Sequence, residues 1–167
     1  MRRRFATRLI AIAGIFGLLG LLGVDAARAE TWAHELGAFT WWLPDDWHAR
    51  NEENRMTASS PNGDMTAMAM VVPARPLEAL VRGLAERVSS SSPAVVFGAP
   101  VPRMVNGMAG LAMEGTSRDG RERLWLFGCE LPSHRAVLLL VRAEAGHSAE
   151  HVDVAVAILA SPRLLTE

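Results

Sequence analysis

The sequence predicts an α+β domain in which helices flank a twisted antiparallel β-sheet, an α/β/α sandwich. Three observations predict it. From Met108 to Arg142 the chain reads as three consecutive antiparallel strands. Leu77, Leu80, Val81, Leu84 and Val88 recur at helical spacing, with Glu78, Arg82, Glu86 and Arg87 on the opposite side. Gly146 and Ser148 announce a second helix, with Ser148 as N-cap, Val152, Ala155, Val156 and Leu159 as buried stripe, and Pro162 as stop.

The N-terminus carries an address. Arg2, Arg3, Arg4 and Arg8 precede an apolar run from Leu9 to Val24, and Ala27-Arg28-Ala29 forms a small-x-small pattern before Glu30. This is the layout of a secretory signal peptide spanning residues 1–29. The apolar run is 16 residues long, short of the roughly 20 that a spanning helix needs. An uncleaved anchor is the competing reading. Arg3-Arg4-Phe5 faintly resembles a twin-arginine signal, and a plain basic segment explains it equally well. The expected location is periplasmic or secreted, with no membrane span after cleavage.

Cleavage after Ala29 leaves 138 of the 167 residues, one domain over 30–167. That part keeps 12 Arg against 17 acidic residues, a formal charge of −5, with the charges scattered. Neither a nucleic-acid surface nor an anionic-membrane surface is expected. The chain has no Lys, which excludes Schiff-base chemistry, the Gly-Lys-Ser/Thr phosphate loop and Ser–Lys hydrolysis. Cys129 is the single cysteine. It cannot form an intramolecular disulfide, and its mid-strand position predicts a buried apolar role.

Taken in order, Glu30 to Leu36 predicts an irregular or helical lead-in. Gly37 to Leu43 predicts a strand with Phe39, Trp41 and Leu43 on one face and Thr40 and Trp42 on the other. His48–Arg50 and Arg55–Ser59 predict strands around a solvated turn. Ser60-Pro61-Asn62-Gly63 predicts a turn, and Asp64–Val72 the next strand. The helix over 77–88 is expected to end at a flexible Ser89–Pro93 loop. Val95–Phe97 and Val101–Val105 predict short edge strands, interrupted by Gly98 and prolines. Asn106-Gly107 turns into the meander, Asp119-Gly120 predicts a two-residue hairpin turn, and Pro132-Ser133-His134 turns the chain again. Arg135–Arg142 is apolar on both faces and should be covered on both sides.

This order of elements resembles the PsbP-like superfamily and its bacterial DcrB-like members. The resemblance runs from Phe39 to Leu164. It rests on the strand ending at Leu43-Pro44 before Trp47, the Ser60-Pro61-Asn62-Gly63 hairpin, the helix at 77–88, Asn106-Gly107 before the meander, and a closing helix ending near Ser161. It implies a twisted antiparallel sheet between helices. It also implies accessory, binding or chaperone-like roles, with no shared catalytic motif; no cofactor is expected.

His147-Ser148-Ala149-Glu150-His151 matches His-x-x-Glu-His, the inverted zinc-peptidase pattern. A complete site needs a third protein ligand, and only Glu167 follows at the terminus. The alternative is a solvated helix start with Glu150 favoured by the dipole, in which replacing His151 is neutral. Ser133-His134 reads as a hairpin turn and Asp45-Asp46 as a solvated turn. If the Asp119-Gly120 turn sets the register, Glu114 lies opposite Trp125 and Ala112 opposite Phe127, while Leu111, Met113, Leu124 and Leu126 face a helix. Trp125 and Phe127 then share a face with Glu114, Thr116 and Arg123. Rings interleaved with polar groups suit a ligand or partner surface, and Trp42 and Trp47 are candidates to join it. A helix sealing the rings into a core is the competing expectation. The leading functional expectation is an exported, non-catalytic envelope accessory protein binding a partner protein or an apolar small molecule. The alternatives are a zinc hydrolase built on residues 147–151 and a structural subunit of an envelope complex.

Overall fold

The computed structural model describes residues 30–34, 39–91, 95–132 and 134–165, so the signal-peptide segment and Ser92-Pro93 lie outside the described residues. Among the described residues eight strands form one antiparallel sheet. Its order is β3 (His48–Glu52), β4 (Arg55–Ser59), β5 (Met65–Pro73), β10 (Arg135–Glu144), β9 (Glu122–Leu131), β8 (Met108–Ser117) and β6 (Val95–Phe97), and β7 (Val101–Val105) also pairs with β8. A second, three-stranded sheet runs β1 (Glu30–His34), β2 (Phe39–Leu43), β11 (Arg163–Leu164). Glu30–His34 is therefore a strand rather than an irregular or helical lead-in. It pairs antiparallel with β2, with Trp32 opposite Trp41. Thr31 and Trp32 favour extended backbone, and β2 offers a free edge to pair with.

The meander register is the expected one, with Glu114 opposite Trp125 and Ala112 opposite Phe127. The turn that sets it is wider than expected. Residues 118–121 form a loop in which the Gly120 amide donates to the Ser117 carbonyl (2.9 Å) and the Glu122 amide donates to Ser117 Oγ (2.9 Å). The β4–β5 connection repeats this construction: the Gly63 amide donates to the Ser60 carbonyl (3.0 Å) and the Met65 amide to Ser60 Oγ (3.0 Å). Gly63 and Gly120 occupy the left-handed region, at φ 77° and 72°. Each buried serine accepts a strand-end amide that a tighter turn would leave to the ladder. Both loops reach β10, where Glu144 donates its amide to the Asp64 carbonyl (2.9 Å) and Ala145 donates to the Arg121 carbonyl (2.7 Å).

Helix α1 (Leu77–Ser91) runs through the serines expected to end it. Ser90 Oγ donates back to the Glu86 carbonyl (2.8 Å), which satisfies the hydroxyl inside the helix. Val81, Leu84 and Ala85 pack on Met113, Leu126 and Leu138 of the sheet. Gly128 permits this approach, since a Cβ there would lie 2.7 Å from Val81 Cγ2. The opposite face of the sheet is covered by α2 (Ser148–Leu159) and by Phe39, Trp41 and Leu43 of β2. β10 is thus covered on both sides, with Val137, Leu138, Leu139 and Val141 fully buried. Among the described residues no helix is long and apolar enough to cross a membrane.

One helical residue departs from expectation. The inward stripe of α2 is His151, Ala155 and Ile158, flanked by half-buried Val152 and Leu159, and Val156 is 54% exposed. The inward turn of His151 sets the rotation of the helix, which carries Val156 out of the core.

Candidate functional site

A groove of about 380 Å³ lies between the second half of α2 and the β7–β8 edge. Trp125, Phe127 and Ala112 form its floor, Val156 and Leu159 one wall, and Val101 and Val105 the other. Arg103 and Glu114 supply its charged groups. The walls are held by a turn. Asn106 and Gly107 have φ of 47° and 81°, the left-handed pair of a two-residue hairpin, and Val105 pairs with Met108. Asn106 Nδ2 then donates to the carbonyls of Ala160 and Pro162, both at 2.8 Å. The side chain that makes the hairpin also ties down the chain just beyond α2, so the groove has a fixed width at that end.

The structure brings together only part of the sequence-derived set. Glu114 is exposed at the groove, as expected of a carboxylate left in water. Trp125 is 6% exposed and Phe127 2%. The rings are a floor largely covered by α2, not an open face. Phe127 lies flat on β8, where a Cβ on Gly110 would come within 2.6 Å of its ring. Arg123 places its guanidinium carbon 5.1 Å from the centre of the Trp125 ring, a cation–π contact, and does not line the groove. Trp42 and Trp47 are elsewhere. Trp42 lines a separate hollow with Thr40, Ser161 and Arg163, and the Trp42 amide donates to Ser161 Oγ (2.9 Å). Trp47 is buried beside Pro44, Ser60 and Met65. Alternation along β2 sends Trp42 away from the main sheet, and the Pro44 turn carries Trp47 to the opposite end. Sequence reasoning missed the groove walls, Val101, Val105 and Val156. The signal was the apolar character of β7, a strand already placed at an edge.

The His147–His151 stretch is not a solvated helix start at its second histidine. His151 is 7% exposed. Its Nδ1 donates to the Glu144 carbonyl (3.0 Å), and its Nε2 meets the Asp64 carboxylate at 2.9 Å. Both ring nitrogens are engaged within the chain, so neither offers a metal a lone pair in this arrangement. Glu150 is exposed, and the His147 side chain lies outside what the structure describes. Among the described residues no group of three His, Cys, Asp or Glu side chains is placed to hold a metal ion.

Asp64 has its own partners. The Ser60 hydroxyl donates to it (2.7 Å), Asn62 Nδ2 donates (2.7 Å), and His151 lies beside it. The Ser60 hydrogen bond, followed by the Asn62 and His151 interactions, holds this carboxyl below the usual 3.8 despite partial desolvation. A depressed carboxylate stabilises the fold above its unfolded value, and the effect fades as pH falls through the folded value. Wild type should therefore exceed Asp64→Asn in unfolding free energy near neutral pH, by about 1–3 kcal/mol. The gap should narrow below about pH 4. Urea unfolding at pH 6 and pH 3 checks this, and an equal gap at both would remove the assigned role. His151→Ala should cost a comparable amount near neutral pH instead of being neutral.

No family model matches the sequence, and no curated protein matches it. Solved structures do. The solution structure of cyanobacterial PsbP (CyanoP) from Synechocystis sp. PCC 6803 aligns with a TM-score of 0.60 and 11% identity, over 90% of this chain and 99% of that one. The crystal structure of LpqN, involved in cell envelope biogenesis of Mycobacterium tuberculosis, aligns with a TM-score of 0.57 and 15% identity, over 81% of this chain and 89% of that one. At these identities the likeness shows the fold, which is PsbP-like.

Proposed function

We propose that the protein is an exported, non-catalytic accessory protein of the cell envelope, and that the α2–β7 groove holds an apolar group of a partner protein or of a small molecule. The groove carries the reading: an aromatic floor, aliphatic walls and two charged groups at its rim are the features of an orienting apolar site. Export is supported by the basic, apolar and Ala27-Arg28-Ala29 segments in succession. The envelope assignment is supported by the likeness to LpqN, a protein involved in cell envelope biogenesis. A hydrolase at residues 147–151 is disfavoured by the engagement of both His151 nitrogens.

The test uses N-phenyl-1-naphthylamine, an uncharged apolar dye excited by tryptophan emission. Binding should saturate at one site with energy transfer from tryptophan, and Trp125→Phe should reduce that transfer. Val156→Asp should weaken binding by about tenfold or more, the cost of desolvating a charge against an apolar ligand. It should leave urea unfolding within about 0.5 kcal/mol of wild type, because Val156 is exposed. Unchanged dye affinity in Val156→Asp would rule out the groove as the binding site.

A further inference from the structure

The face of the main sheet that carries α1 is only half covered. α1 packs over β8 and β9 and reaches Leu138 of β10. Beside it, over β3, β4 and β5, lies a cleft of about 650 Å³. The strand register fixes what lines it. One cross-strand row reads Arg50, Thr57, Met68, Leu140. The neighbouring row reads His48, Ser59, Thr66, Arg142. Residues directly opposite each other in such rows stand about 5 Å apart on the same face. The first row therefore runs from a guanidinium, past a hydroxyl, onto two apolar side chains that end against Val88 of α1.

The charges divide the cleft into two ends. Arg142 is paired with Glu122, whose Oε2 is buried without a hydrogen-bond partner among the described residues. The pair leaves this end without net positive charge to attract an anion. Arg50, at the far end, is exposed and makes no ion pair among the described residues, and His48 and the hydroxyls of Thr57 and Ser59 stand next to it. This guanidinium end sits on a chain whose predicted mature part is acidic, with 12 Arg against 17 Asp and Glu.

We infer that this cleft is a binding site for a monomeric carboxylate amphiphile, with the carboxylate on Arg50 and the apolar chain over Met68 and Leu140 toward Val88. A guanidinium meets a carboxylate bidentately, and the hydroxyls beside it can complete the oxygen's hydrogen bonds. The site is separate from the α2–β7 groove, which lies on the other face of the sheet, so the inference stands whether or not the groove binds anything.

Calorimetric titration of the purified protein with decanoate and decyltrimethylammonium, each below its micelle concentration, and with decanol below its solubility limit, tests it. In Val156→Asp, where the α2–β7 groove is impaired, decanoate should bind one per chain, decanol at least about tenfold more weakly, and the ammonium compound not measurably; about tenfold corresponds to losing one charge-assisted contact. Arg50→Gln should cost about tenfold for decanoate and nothing for decanol, and Arg50→Lys should recover part of the loss. Val156→Asp, in the other groove, should leave the Arg50-dependent decanoate site at its wild-type affinity. Equal binding of decanoate and decanol, or an Arg50→Gln variant of normal circular dichroism that binds decanoate like wild type, would overturn the assignment. Loss of decanoate binding in Val156→Asp would move the ligand to the groove. Binding to phosphatidylglycerol vesicles with none to monomeric decanoate would replace the monomer with a membrane surface.

Discussion

Trp41→Ala is expected to lower the unfolding free energy by about 3–5 kcal/mol, the range for emptying a buried tryptophan site. Trp41 is the central inward residue of β2, between Phe39 and Leu43, and all three are buried in the cluster shared with the main sheet. Its Nε1 donates to Met56 Sδ at 3.0 Å, so the ring both fills the space between the two sheets and spends its one polar group there. Strands on both sides are fixed by their own ladders and cannot collapse into the space left behind. Trp42→Ala, on the opposite face and half-buried, should cost about 1 kcal/mol. Chemical unfolding followed by circular dichroism compares them. Equal losses at the two positions would mean that the small sheet does not dock through this face.

Leu84→Ala should cost about 2–5 kcal/mol, as buried leucines do. Leu84 points from α1 into the cluster with Leu126 and Leu138. Arg82→Ala, on the solvent side, removes only an exposed ion pair with Glu78 at 2.8 Å and should cost less than about 0.5 kcal/mol. Urea midpoints at constant slope read both values. Similar losses for the two variants would place the helix in a different rotation from the one described.

The two leucine and arginine positions were separable from sequence because α1 alternates apolar and charged residues at a clear helical period. The meander was legible for a related reason. A strand has period two, and once Asp119-Gly120 centres the hairpin, the facing of Glu114 and Trp125 follows. What could not be read are relations set by docking. The inward turn of His151 depends on Asp64, 87 positions away, and nothing in the local spacing of α2 distinguishes Val156 from the residues that do face the sheet. The same limit separated the tryptophans. Proximity in sequence suggested one aromatic group, but Trp42 and Trp47 lie across a strand alternation and a proline turn, which send them to separate hollows. The open half of the sheet was hidden as well, because Thr57, Thr66, Met68 and Leu140 come from three strands and form a surface only once those strands are in register.

Cys129 stands near the end of β9, an interior strand of the sheet, opposite Gly110 on one neighbour and Val137 on the other, with no exposed surface. Its sulfur lies 3.9 Å from Met108 Sδ, and burial pushes the thiol up to about 11. An alkylating reagent needs both access and thiolate, and the closed fold supplies neither. Modification must therefore wait for excursions that part β9 from its neighbours. The rate at which label accumulates is a clock for those openings, carried by the one sulfhydryl in the sequence, and it samples the most protected strands of the protein instead of its fraying ends.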